Sequence, residues 1–128
     1  MPDTEKITIN LSAVDLGRID LLAEEGFYSN RTDFIRSAIR KEIEAHRDVV
    51  DKSVTRRASA LGVMVYTRRA LESLDKKRQK LDINVIGAVH LADDIPADLA
   101  ARTIQSLKVR GIFRASQAVK DALGDRIR

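Results

Sequence analysis

The sequence predicts an α/β protein in two parts: a short β-strand followed by two helices, and then a domain of strand-helix repeats. Two observations support this prediction. Residues 6–10 alternate between polar and apolar side chains and are followed by two segments with apolar residues at helical spacing. Beyond residue 60, three apolar segments each contain a glycine, and each precedes a helical pattern. The repeats are therefore expected to form parallel strands with helical crossovers, or a short solenoid.

The first predicted element is the alternating strand at residues 6–11. One face carries Ile7, Ile9 and Leu11, and the other carries Lys6, Thr8 and Asn10. The following segments are predicted to be helical and cannot pair with it, and a lone strand with one apolar face is unstable. We therefore expect the same strand from a second chain to pair with it, antiparallel across a two-fold axis. Such a two-stranded ribbon, with three polar side chains per chain on its exposed face, fits the major groove of DNA.

The next two predicted elements are short amphipathic helices. Ser12 is a good N-cap with Asp15 three residues later, Gly26 suits the residue after the first helix, and Ser29 is predicted to cap the second helix. The apolar stripe of the second helix contains Phe34, Ile35, Ala38, Ile39 and Ile43. Residues 1–47 therefore contain a small core that should fold only as an intertwined dimer.

The start of the second helix is a candidate phosphate site. Ser29, Asn30, Arg31 and Thr32 bring free backbone N–H groups, two hydroxyls, an amide and a guanidinium to one place. The helix dipole adds partial positive charge there. Capping alone would also explain Ser29, but next to a ribbon with a polar face we interpret these four residues as a phosphate-anchoring site.

Residues 5–46 resemble the ribbon-helix-helix superfamily of transcriptional regulators, the Arc, MetJ and CopG group. The shared pattern is a short alternating strand, a helix, a glycine turn, a cap rich in Ser and Arg, and an Ile-Arg-x-Ala-Ile-Arg helix. The resemblance implies that Lys6, Thr8 and Asn10 contact base edges and that the amides around Ser29–Arg31 anchor the DNA backbone. Many members of the superfamily have arginine on the strand face that contacts the bases, where this chain has Thr8 and Asn10. In this chain Asn10 could pair with adenine, Lys6 with guanine, and the Thr8 methyl could touch thymine.

Residues 48–60 are predicted to be a polar connector that is helical in part, and residues 61–128 to be the repeat domain. Its glycines, at positions 62, 87 and 111, lie 25 and 24 residues apart. At an offset of 24, Ile83 aligns with Leu107, Val85 with Val109, and Val89 with Phe113. The helical patterns after the three strands contain Leu71, Leu74 and Leu81, then Leu99 and Ile104, then Val119 and Leu123. The alternative is a chance placement of three glycines in a small irregular α/β domain.

Composition and motifs exclude several function classes. The chain has no cysteine, 4% aromatic residues and two separate histidines, so we expect no metal site, no cofactor and no base-stacking surface. No catalytic triad, Walker loop or dinucleotide motif is present, so we expect no enzyme. The net charge of +4 is uneven. Residues 1–48 have seven basic and ten acidic side chains, residues 49–82 nine and four, and residues 83–128 seven and five. The net acidic charge of residues 1–48 weighs against DNA binding unless local geometry or the basic residues 49–82 supply phosphate affinity.

The sequence thus predicts a cytoplasmic, nucleoid-associated transcriptional repressor with no membrane segment. It would bind double-stranded DNA as a homodimer, and the C-terminal domain would extend this to a tetramer or a larger assembly, or hold an effector. Oligomerisation is favoured because no convergent polar cluster marks a ligand site. One alternative is an antitoxin that represses its own operon and binds a toxin through the C-terminal half. A second is a self-assembling structural protein with stacked repeats.

Overall fold

A computed structural model describes residues 4–56 and 59–128. Two compact units are present: Lys6–Lys52, which we call the head, and Ser53–Arg128, with which Thr4 and Glu5 group. We call the second unit the C-terminal unit. The boundary between them falls inside the segment that the sequence predicts to be a connector, residues 48–60.

The head contains two helices, α1 (Ala13–Glu24) and α2 (Arg31–Ala45). Ser12 caps α1 as predicted, because its Oγ accepts a hydrogen bond of 3.1 Å from the backbone N–H of Asp15. Gly26 follows the helix with φ at +89°, a left-handed conformation that glycine adopts without steric cost. These two signals position the turn that leads into α2.

No strand is assigned to residues 4–11 in the single chain. A strand requires backbone hydrogen bonds to a neighbouring strand, and among the described residues no strand pairs with this segment. The Arg114 side chain donates to the Thr4 carbonyl at 3.3 Å, but this bond is not part of a ladder. The alternating segment at residues 6–11 therefore stays a predicted strand.

The predicted connector is largely helical. Helix α3 (Arg47–Arg56) begins directly after His46, which follows the last residue of α2. Val49 in this helix is exposed. The sequence prediction allowed for partial helix but did not locate it, because the polar and charged residues of this segment outnumber its apolar ones and weaken the periodic signal.

The C-terminal unit is built on a parallel sheet of three strands in the order β1-β2-β3. The strands are β1 (Ala60–Tyr66), β2 (Leu81–Leu91) and β3 (Ile104–Arg114). Helices α4 (Arg68–Lys76), α5 (Ala97–Thr103) and α6 (Gln117–Leu123) follow the strands in turn, and a 3₁₀ turn covers Gly124–Arg126. Two sequence assignments were wrong: Leu81 and Ile104 begin strands and do not end helices. Both are apolar boundary residues that fit either periodicity.

The sheet register follows the glycine spacing. Gly62 is opposite Gly87, and Gly87 is opposite Gly111, so the three glycines form a row across the sheet. The pairs aligned at an offset of 24 are register neighbours, namely Ile83 with Leu107, Val85 with Val109, and Val89 with Phe113. Parallel strands with helical crossovers, one of the two arrangements that the sequence predicts, are therefore what the C-terminal unit contains.

The helices of the C-terminal unit cover one face of the sheet. A single core joins Leu71 of α4, Leu99 of α5 and Val119 of α6 to Val89 and Leu107 of the strands, all nearly or fully buried. The other face, which we call the open face, carries alternate residues of each strand. On β1 it carries Leu61, Val63 and Val65, with exposed fractions of 65%, 45% and 64%.

Candidate nucleic-acid interface

The three predicted base-reading side chains are free on the surface of the head. Lys6, Thr8 and Asn10 are exposed. Within the described residues, none of them has a hydrogen bond or ion pair to another side chain. The intervening residues Ile7 and Ile9 are also exposed, at 75% and 58%. Polar side chains without partners therefore alternate with exposed apolar side chains along this segment. In a paired β-strand the two kinds of side chain would lie on opposite faces.

Two apolar side chains of the N-terminal segment, Ile9 and Leu11, help to line a groove of about 470 Å³ between α1 and α2. Its lining is mainly apolar: Ile9, Leu11, Ile19, Leu22, Phe34, Ile35, Ala38 and Ile39, with Asp15 and Arg18 at the side. Among the residues of the head, Ile19 alone is buried. One buried side chain is too little to stabilise a unit of this size in water, so the groove needs an apolar occupant.

The cap of α2 differs from the sequence prediction. Asn30 is the N-cap instead of Ser29, because its Oδ1 accepts a hydrogen bond of 2.8 Å from the backbone N–H of Asp33. The Asp33 carboxylate in turn accepts a bond of 2.9 Å from the backbone N–H of Ser29. The two bonds form a reciprocal cap in which the Asp33 carboxylate binds Ser29, the residue before the N-cap. The backbone N–H of Ser29, which was predicted to help hold phosphate, is therefore already occupied.

Arg31 is paired with a carboxylate on α1. Its Nε and Nη2 donate to the two carboxylate oxygens of Asp20 at 2.8 and 2.9 Å. Both side chains are about half exposed. The hydrogen bond from Arg31, with its positive charge, lowers the pKa of Asp20, and the same hydrogen bond raises the pKa of Arg31. The pair is therefore intact above the usual pKa of an aspartate and is lost as the pH falls through the lowered pKa of Asp20.

Part of the predicted phosphate site remains available. The backbone N–H groups of Arg31 and Thr32 lie in the first turn of α2, where a helix offers no internal acceptor. The side chains of Ser29 and Thr32 are exposed. Sequence reasoning missed Asp20 and Asp33 as occupants of this site. The three-residue spacing of Asn30 and Asp33 could have revealed the second, whereas Asp20 reaches the site only through the packing of α1 against α2.

The described residues offer little support for other site classes. They contain no cluster of three or more residues of the types that commonly ligate a metal ion. None of the described helices has the length and apolar character needed to cross a membrane. The candidate interface is thus the polar segment at residues 6–10 together with the start of α2.

A comparison with family models gives a match that covers nearly the whole chain. The model is that of the ribbon-helix-helix transcriptional regulator family, and it matches residues 2–120. The match extends well beyond residues 5–46, where the sequence resemblance ended, and includes the entire parallel sheet. No curated protein and no solved structure matches the chain.

Proposed function

The chain belongs to the ribbon-helix-helix transcriptional regulator family, and we propose that it is a repressor that binds DNA as a homodimer through a two-stranded β-ribbon. In this proposal the strands at residues 6–11 of two chains pair antiparallel. The ribbon enters the major groove at a short site with two-fold symmetry and blocks transcription there.

The uncovered apolar surface of the head is the observation on which this proposal rests. Ile7 and Ile9 on the N-terminal segment and Ile39 and Ile43 on α2 are all roughly half exposed or more in one chain. A second copy supplies both the missing strand and the apolar side chains for the groove between α1 and α2. The same pairing turns Lys6, Thr8 and Asn10 of both chains outward on one face, because side chains alternate along a strand.

Each outward side chain fits a different feature of the base edges. The Asn10 amide can both donate to and accept from adenine, the Lys6 ammonium can donate to guanine, and the Thr8 methyl can contact the methyl of thymine. Backbone N–H groups of Arg31 and Thr32 at the start of α2 would hold a phosphate on each side of the ribbon. These contacts position the ribbon without requiring a basic head.

Asn10→Ala is expected to weaken binding to the preferred DNA site by about 1–3 kcal/mol for each adenine that the amide no longer reaches. Binding to unrelated DNA should hardly change, because phosphate contacts dominate it. The preferred site is first found by selection from random DNA, and both affinities are then measured by fluorescence anisotropy. Gln105→Ala, which removes an exposed amide from β3, is the matched control. Equal reductions in affinity for preferred and unrelated DNA would contradict base reading by Asn10.

Arg31→Ala tests the phosphate-anchoring role separately. If Arg31 exchanges Asp20 for a phosphate on binding, the variant should bind all sequences more weakly and to the same degree. The slope of log K against log salt should become shallower by roughly 0.9 for each phosphate that is no longer neutralised. Arg47→Ala, which removes the same charge from exposed ion pairs with Glu44 and Asp51 and lies outside the groove lining, should leave this slope almost unchanged. An unaltered slope in Arg31→Ala would mean that Arg31 serves only the pair with Asp20.

The C-terminal unit is proposed to join head dimers into tetramers. One ribbon buries little surface on DNA, so adjacent dimers gain affinity when they are linked. The buried core around Leu71, Val89 and Val119 supports this role over that of an antitoxin tail, because such tails are typically disordered without their toxin. Limited proteolysis of the free protein checks this: rapid cleavage throughout residues 60–123 would favour the antitoxin.

A further inference from the structure

The two edges of the parallel sheet differ in how they are protected. Edge strand β3 carries the charged side chains Lys108, Arg110 and Arg114 on its open face. Its free edge is also met by the end of the chain, where Leu107 forms a bridge with Ile127 and accepts a hydrogen bond of 2.8 Å from the backbone N–H of Arg128. Charges and a covering segment are common means by which proteins prevent an edge strand from pairing with another chain.

Edge strand β1 has neither form of protection. Its seven residues, Ala60–Tyr66, include no charged residue and no proline. Within the described part of the chain, no strand pairs with its outer edge. Its open-face side chains Leu61, Val63 and Val65 are 45–65% exposed. An uncharged, apolar strand with free backbone N–H and C=O groups along one edge is complementary to another β-strand.

We propose that β1 pairs with β1 of a second copy, antiparallel across a two-fold axis at Val63, and that this pairing joins two head dimers into a tetramer. The inference rests on the oligomerising role proposed above for the C-terminal unit, and it does not depend on DNA recognition. Two kinds of two-fold contact, one through the head and one through β1, close four chains into a particle when their axes meet at right angles, and no β1 edge is then left free.

The side-chain sizes along β1 fit this alignment. On the open face, Leu61 lies opposite Val65 and Val63 opposite its own copy, which forms a continuous apolar row with no like charges opposed. On the helix-facing side, Gly62 lies opposite Met64 and Ala60 opposite Tyr66, so each small residue meets a large one. A Cβ at Gly87 or Gly111 would meet the backbone of the adjacent strand, whereas a Cβ at Gly62 would have no other atom within 4 Å. Glycine at position 62 therefore leaves the outer edge of β1 free for the backbone of another strand.

The absence of cysteine from the chain allows a direct test on the full-length protein. Val63→Cys should form an intermolecular disulfide on mild oxidation. Directly opposed residues in an antiparallel pair have Cα atoms about 4.5–5.5 Å apart, within the range of a disulfide. Leu61→Cys, on the same strand and more exposed, should not crosslink, because its two copies would lie about 13 Å apart along the ribbon. Arg110→Cys, exposed on the protected edge, should not crosslink either.

Absence of the disulfide in Val63→Cys, or equal crosslinking of Leu61→Cys, would overturn the pairing. Sedimentation of Val63→Lys, with its fold checked by circular dichroism, gives a second measurement. The mass should halve from four chains of 14.3 kDa to two. A fall from two chains to one would support β1 pairing while contradicting the head dimer, so the two proposals fail separately. An unchanged mass would overturn the inference.

Discussion

Gly87→Ala is expected to destabilise the C-terminal unit by about 2–6 kcal/mol, the largest effect of any single substitution proposed for its fold. Gly87 has φ at +136°, a conformation that costs a residue with a side chain about 1–3 kcal/mol. A Cβ at this position would also lie 2.1 Å from the carbonyl oxygen of Gly62 on the adjacent strand. The clash is with backbone, which cannot rotate away, and overpacking of this kind adds roughly 1–3 kcal/mol.

Gly62→Ala separates the two causes. Gly62 has nearly the same φ, +139°, but no atom of the single chain lies within 4 Å of its Cβ position. In the Val63→Lys background, where β1 should be unpaired, only the backbone cost of about 1–3 kcal/mol should therefore remain. Gly17→Ala, within α1 and also in open space, should be neutral or stabilise the head by up to about 1 kcal/mol. Urea unfolding followed by circular dichroism measures all three. Equal destabilisation by Gly87→Ala and Gly62→Ala would show that the close approach of β1 and β2 does not limit the residue at position 87.

The glycine row also explains why the sheet could be predicted from the sequence. A glycine recurring every 24–25 residues within apolar segments is a local signal, and it matches the register because equivalent repeats place equivalent residues side by side. The three strands and the cap at Ser12 follow from local signals of this kind. The boundaries of the elements could not be predicted in this way, because apolar residues such as Leu81 and Ile104 fit both the helical and the strand pattern.

The candidate site was less predictable because its contacts join residues distant in sequence. Lys6, Thr8 and Asn10 could be placed on one face from alternation alone. The pairing of Arg31 with Asp20, eleven residues earlier, depends on how α1 packs against α2. Ser29 and Asn30 are adjacent and both have good capping side chains, so the sequence does not decide which of them is the N-cap. The backbone conformation at this turn decides it in favour of Asn30.

Ile9→Lys is expected to abolish the head dimer and to reduce affinity for the preferred DNA site at least 100-fold, or about 2.7 kcal/mol. In a single chain Ile9 is 58% exposed and contributes to the groove between α1 and α2. In the proposed ribbon it is buried against the second chain, where an unpaired ammonium would cost several kcal/mol. Sedimentation should then show only the pairs of chains joined through β1, and anisotropy should show weak binding with no sequence preference.

Thr8→Lys is the decisive control, because it adds the same side chain to the neighbouring residue. Strand alternation places position 8 on the face that would meet DNA and position 9 on the face that would meet the other chain. Thr8→Lys should therefore keep the mass of the wild type and bind unrelated DNA more tightly, with a steeper dependence on salt. If both variants kept that mass, or if both fell below it, the segment would not be a strand with two distinct faces. The polar side chains of residues 6–10 would then have no common surface from which to read DNA.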